Sequence, residues 1–125
     1  MFVDFLEKGK NTDYIEIQIC MADVNTSPYE LVNIKNIHFG LSSSIYIDFK
    51  NYEQFFQNYN IYFNNALHAN LEENELDPYG INYFSVDKTI HIIDKIKNDK
   101  PLEYDKIINF LNKAKDNNGF YILGI

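Results

Sequence analysis

Cys20, His38, His68 and His91 are the residues of this sequence best suited to nucleophilic or metal chemistry. Each lacks the neighbours such chemistry needs. A cysteine nucleophile needs a base within hydrogen-bond reach, usually presented from a loop or a helix N-terminus. Cys20 instead falls inside an alternating strand pattern and reads as a small packed residue. His68 and Glu72 are four apart and would share a helical face, as would Asp87 and His91, with Asp94 nearby. Each pair offers one edge of a metal site, and neither has a further partner at recognisable ligand spacing. Glu72, Glu73 and Glu75 share one polar run, whereas acid–base catalysis needs two carboxylates in contrasting environments. No glycine-rich phosphate loop, Gly-x-Ser-x-Gly elbow or His-Glu-x-x-His helix is present. No catalytic residue, metal ligand or cofactor is therefore expected.

Charge carries more information. The chain has 125 residues, eighteen acids against eleven basic residues, and a net charge of −7. All eleven basic residues are Lys. A nucleic-acid partner is not expected, because phosphate neutralisation draws on Lys and Arg, and bidentate contacts on Arg above all. Asn and Ile occur seventeen times each, a bias typical of AT-rich coding. The excess acid is concentrated. Residues 51–87 hold six acids and no Lys, while residues 88–125 hold five acids and seven Lys. Within the acidic third, Glu72, Glu73, Glu75 and Asp77 are nearly contiguous, with Tyr79 beside them. Such a patch steers a basic partner and raises its association rate. The structural alternative is a solvated helix end that keeps the protein soluble.

These groups must be positioned by elements the periodicity predicts. Residues 13–22 alternate, with Ile15, Ile17, Ile19 and Met21 on one face and Tyr14, Glu16, Gln18 and Cys20 on the other, as in a half-buried strand. Phe2–Leu6 reads as a short strand or a first helical turn. A short helical turn can follow Pro28. Ile34–Phe39 and Ser44–Phe49 read as strands joined in a hairpin. From Asn51 to Leu71, apolar residues recur at spacings of three and four, which predicts an aromatic-faced helix of about five turns lying across a sheet. Asn51 and Gln54 fit a capping box at its start. Asp77-Pro78-Tyr79-Gly80 has the residues of a type I turn. Ile81–Phe84 reads as a short strand. Ser85 can cap a helix with Asp87 in its first turn and Ile90, Ile93 and Ile96 facing inward. A hairpin turning at Asp87-Lys88 is the alternative over 86–98. Pro101 suits a first helical position, and Asn118-Gly119 a helix end. Phe120–Ile125 reads as a terminal, buried strand. The expected fold is a single α+β domain over residues 1–125, with a mostly antiparallel or mixed sheet.

Composition excludes several classes. Abundant Ile, Tyr and Phe exclude intrinsic disorder. No apolar run approaches the ~18 residues of a membrane span. Met1–Leu6 is short and carries Asp4, so no signal peptide is expected. One cysteine excludes a disulfide scaffold. A soluble, cytoplasmic domain is the expectation.

The chain resembles immunity proteins of bacterial toxin–immunity systems, including those of contact-dependent growth inhibition. The resemblance lies in size, acidity, Asn/Ile/Lys bias and the missing catalytic motifs. The Tyr83-Phe84-Ser85 helix start, the stretch Ile107-Ile108-Asn109-Phe110-Leu111, and the closing Gly119-Phe120-Tyr121-Ile122-Leu123-Gly124-Ile125 are similar to the ends of small bacterial α+β proteins. It implies a protein without chemistry of its own that fills the basic cleft of a toxin, typically a nuclease, and excludes substrate. On that reading Glu72, Glu73, Glu75, Asp77 and Tyr79 meet a protein toxin with a basic surface. A second acidic surface around Asp13, Glu16 and Asp23 is the next candidate. The alternative function is a small enzyme or a generic protein-interaction domain.

Overall fold

The computed structural model describes residues 1–124. Seven strands form one antiparallel sheet: β1 (Phe2–Val3), β2 (Tyr14–Ile19), β3 (Ile45–Asp48), β4 (Ala66–Leu67), β5 (Glu73–Asn74), β6 (Ile81–Phe84) and β7 (Phe120–Leu123), in the order β1-β3-β2-β7-β6-β4-β5. Five helices accompany it: α1 (Phe5–Lys8), α2 (Pro28–Leu31), α3 (Tyr52–Tyr59), α4 (Val86–Asp99) and α5 (Tyr104–Lys115). The fold is α+β, as the sequence predicts. No helix among the described residues is long and apolar enough to cross a membrane.

The last strand lies at the centre of the sheet. β7 pairs on one side with β2, Ile17 opposite Ile122, and on the other with β6, Asn82 opposite Ile122. The predicted terminal strand is thus realised over Phe120–Leu123, and Ile125 lies outside the described residues. Gly119 makes the turn into it from α5 with φ +79°, its N–H donating to the Ala114 carbonyl at 3.1 Å. Only glycine takes that conformation without steric cost.

Both faces of the sheet are covered. Ile15, Ile17 and Ile19 of β2 join Phe84, Phe120 and Ile122 beneath α3, α4 and α5. Phe55, Tyr59 and Phe63 stack on one another at 5.6–6.1 Å, and Phe63 sets its edge against the stacked pair Phe84–Phe120. Offset and edge-to-face pairs of this kind add ~0.5–1.5 kcal/mol each beyond the area they bury. The opposite face is covered by the irregular segment 21–44, with Leu31, Val32 and Ile37 packed against Cys20, Tyr83 and Tyr121. β2 is therefore buried on both faces, where its alternation predicts one solvated face. Glu16 is 1% exposed and Cys20 is 1% exposed.

The long aromatic helix is corrected. α3 stops at Tyr59, and residues 66–67 are already strand. Asparagine recurs at 58, 60, 64 and 65, and its amide competes with the helix for backbone groups. Tyr62 and Phe63 N–H groups donate to the Tyr59 and Asn60 carbonyls, closing tight turns in place of helix. This break lets Phe63 stack while Ala66 enters the sheet. The capping box is not made, since Asn51 forms no side-chain cap bond.

Ile34–Phe39 is not a strand. Ile34–Asn36 is a 3-10 turn capped by Asn33, and of residues 34–39 Ile37 is buried while Ile34 is exposed. The predicted hairpin is absent, and only Ile45–Asp48 enters the sheet. Residues 86–99 form the helix, not the alternative hairpin, with the Ser85 hydroxyl accepting from Lys88 N–H. Its buried face is Thr89, Ile92, Ile93 and Ile96, and Ile90 points outward. Pro101 lies in the turn before α5, which opens at Tyr104 behind a left-handed Glu103. Phe2–Leu6 resolves into both readings, β1 and the start of α1 under an Asp4 capping box. The Pro28 turn is α2, capped by Ser27.

Candidate functional site

The five expected partner-binding residues lie at the outer end of the sheet. They are not at a helix end. Glu72 closes the β4–β5 hairpin turn, Glu73 lies in β5, and Glu75, Asp77 and Tyr79 follow on the loop to β6. The unfavourable helix dipole that acids meet at a C-terminus therefore does not act on them. His68 and Glu72 do not share a helical face. Their link is the His68 N–H donating to the Glu72 carbonyl at 3.0 Å.

The loop is rigidly built. Glu75 and Asp77 point outward while Leu76 between them is 8% exposed and packs into the core. His68 sets Nδ1 3.2 Å from the Ile81 carbonyl and Nε2 2.7 Å from the Glu75 carbonyl. The ring thus ties the loop to β6. A neutral ring donates to one of these carbonyls and the doubly protonated ring to both. Buried Asn82 works beside it. Its amide donates to the Asp77 and Ile122 carbonyls, at 2.8 and 2.9 Å, and its oxygen accepts from Asp77 N–H at 2.8 Å. The expected turn is present: Gly80 N–H donates to the Asp77 carbonyl at 3.4 Å, and the Asp77 carboxylate caps Tyr79 N–H at 2.9 Å. Gly124 N–H donates to the Gly80 carbonyl at 2.8 Å, so the end of β7 holds the same turn.

The acids differ in electrostatic situation. Glu73 pairs with Lys88 from the first turn of α4, and that ammonium also donates to the Asn65 carbonyl at 2.9 Å. Glu72 accepts from the Asn70 amide at 3.3 Å. Among the described residues no lysine pairs with Glu72, Glu75 or Asp77. Tyr79 is 70% exposed, and its ring lies 6.1 Å from Phe49. The Tyr52 hydroxyl is held above its ordinary pKa, first by burial and then by the neighbouring Tyr79 and Asp77.

Sequence reasoning missed residues that share this surface. The spacing of residues 51–71 puts Tyr52 and Phe56 on the inward stripe of one helix, yet Phe56 is 38% exposed, and Ile61 beyond the helix end is 58% exposed. Adjacent helical residues are 100° apart, so the Phe55-Phe56 doublet cannot bury both rings on one narrow face. Phe56 and Ile61, with Asn60, Asn64, Glu75 and Leu76, line a shallow cleft of about 230 Å³.

The other candidates fare differently. Glu16 is removed from the second acidic surface, because its carboxylate is buried. It accepts from Gly40 N–H at 2.6 Å, Leu41 N–H at 3.1 Å, Ser44 Oγ at 2.6 Å and Gln18 Nε2 at 3.0 Å. A carboxylate with four donors is a structural hub for the 38–44 loop. Cys20 is buried with Sγ 3.7 Å from the Tyr121 hydroxyl. His68 and His91 line different clefts, and His38 lies exposed on the 38–44 loop. Among the described residues, no three His, Cys, Asp or Glu are grouped to hold a metal ion. Asp87 and His91 are exposed neighbours on α4.

No family model, curated protein or solved structure matches this chain.

Proposed function

We propose that this chain is an immunity protein: it binds a basic protein toxin, typically a nuclease, in a bacterial cytoplasm and neutralises it by covering the active cleft. The observation that carries the reading is the rim of Glu72, Glu75 and Asp77, unpaired by lysine among the described residues and set beside the exposed Tyr79 ring. Unpaired surface acids repel one another mildly and contribute little to the fold. They complement a cleft lined with the cations that bind phosphate, giving fast association and rejection of wrong partners. An exposed tyrosine on a hydrogen-bonded turn supplies the kind of rigid aromatic anchor found at interface hot spots. Neutralisation by occlusion requires no chemistry of the inhibitor.

The test is co-expression of the tagged protein with the polypeptide encoded next to it. The expected result is a stoichiometric complex that removes the partner's toxicity and weakens as salt rises. A monomer or homodimer with no partner would overturn this reading in favour of a small enzyme or a generic interaction domain.

A further inference from the structure

We infer that the contact is centred on the cleft between the end of α3 and residues 75–76, and that its occupant is one apolar side chain of a protein partner flanked by lysine or arginine. This rests on the reading above and names the surface and the partner chemistry it requires.

An aromatic run, exposed at Tyr79 and Phe56 and part-buried at Phe49 and Tyr52, leads from the acidic turn to the cleft. Tyr79 lies 6.1 Å from Phe49, Phe49 stacks on Tyr52 at 5.6 Å and 12°, and Tyr52 lies 5.9 Å from Phe56. Phe56 then forms the cleft with Ile61 and Leu76. The exposed side chains of Tyr79, Phe56 and Ile61, joined by these part-buried rings, form apolar surface of the kind that marks interaction sites. The volume of about 230 Å³ lies below the ~300–1,000 Å³ of small-molecule pockets and suits a single side chain.

Charge selects the occupant. Glu75 lines the cleft, Asp77 acts on Tyr52, and Glu53 lies one helical turn before Phe56. No lysine lines the cleft itself; those of the adjoining cleft beyond Ile61 and Asn64 are Lys88, which pairs with Glu73, and Lys95. An acidic or neutral segment entering this site would leave that field uncompensated, whereas a basic one neutralises it. Glu73, already paired with Lys88, lies outside the predicted contact.

Two measurements test the inference. The first titrates the isotope-labelled protein with a capped Lys-Leu-Lys peptide and with its Glu-Leu-Glu counterpart, following backbone amide signals. The expected result is shifts at residues 56, 61, 75–77 and 79 with the basic peptide alone, reduced about 10-fold in apparent affinity by Ile61→Asp. Shifts elsewhere, equal response to both peptides, or self-association of the protein through this face would overturn it. The second uses the co-purified complex. Ile61→Asp should weaken it at least ~10-fold at unchanged melting temperature, and Glu73→Gln should not. A partner that binds Ile61→Asp at full strength overturns the cleft while leaving the proposed function standing. Absence of any partner overturns the function, and the peptide titration then decides the cleft alone.

Discussion

Glu73 is joined to the Lys88 ammonium across the space between β5 and α4, whereas Glu75, two residues on, has no lysine partner among the described residues. Two acids separated by a single residue and alike in chemistry are therefore unlike in availability. Glu75→Lys should slow association with the basic partner and flatten its salt dependence, while Glu73→Gln should change neither by more than about twofold. Stopped-flow association rates at several salt concentrations make the comparison. Exposed ion pairs contribute only ~0–1 kcal/mol, so neither change should move the melting temperature much.

Glu16→Ala should be strongly destabilising. It strips the Gly40 and Leu41 N–H groups and the Ser44 hydroxyl of their shared acceptor. A fully buried orphaned donor costs ~1–3 kcal/mol, and with the Ser44 hydroxyl buried and the two amides part-buried a total loss of roughly 2–4 kcal/mol is expected in urea unfolding. Amide exchange over residues 38–44 should rise first. Glu16→Gln, which keeps the shape and part of the acceptor capacity, should cost less.

Gly124→Ala should disturb the acidic turn from the far end of the chain. A Cβ at Gly124 would overlap the Pro78 carbonyl, and the backbone on both sides is fixed by hydrogen bonds. The expected outcome is a fall in stability of roughly 1–3 kcal/mol, as for overpacking elsewhere. Amide shifts at residues 77, 79 and 80 should accompany it. Unchanged shifts there would show that the turn does not depend on β7.

Alkali should unfold the protein through its buried tyrosines. Burial first, then the nearby Glu16, pushes Tyr46 up to about 12. Burial and a hydrogen bond to Asp99 push Tyr62 up to about 12. Tyr59, Tyr83 and Tyr121 are raised as well, each chiefly by burial. A raised folded pKa gives stability that is complete below the unfolded value of ~10 and lost as pH climbs through the folded one. Tyrosinate absorbance should show a late phase coincident with unfolding above pH ~10. A smooth titration of every tyrosine near pH 10 would contradict this packing.

Acid should act through Glu103 and Asp99. Burial raises the Glu103 pKa, but the hydrogen bond from the Met1 α-amino group and the charges of that group and Lys106 outweigh it, and the net shift is downward. The amino group lies 2.9 Å from Oε2, and the Lys106 ammonium 3.2 Å from Oε1. The Tyr62 hydroxyl, then the Asn98 amide, lower Asp99. A depressed folded pKa gives stability present above the unfolded value near 4 and lost as pH falls below it. Glu103→Gln should therefore flatten the acid limb of the stability–pH curve.

Much of the architecture was legible because it is encoded locally. The alternation of Ile15, Ile17 and Ile19 marks β2, and the Ser85 cap with Ile93 and Ile96 marks α4. Gly119 marks the turn that admits β7, and Asp77 to Gly80 mark the turn that carries Tyr79. In each case the signal and the structure it specifies lie within a few residues of one another.

What failed did so where a distant partner decides. The aromatic spacing of residues 52–71 fits a helix by itself, but Phe63 finds Phe84 and Phe120, and Leu67 finds Tyr83 in the sheet, so the helix ends early. Glu16 reads as a solvated strand residue until the 38–44 loop folds its amides onto it. The sequence by itself determined the α+β character, the charge imbalance and the position of the acidic stretch, because propensity, period and ionisation are properties of short segments. The tertiary structure alone decided which acids are neutralised and which stay open, and that Phe56 and Ile61 join Glu75 around one cleft. Pairing and burial depend on residues brought together from opposite ends of the chain, and no local pattern records them.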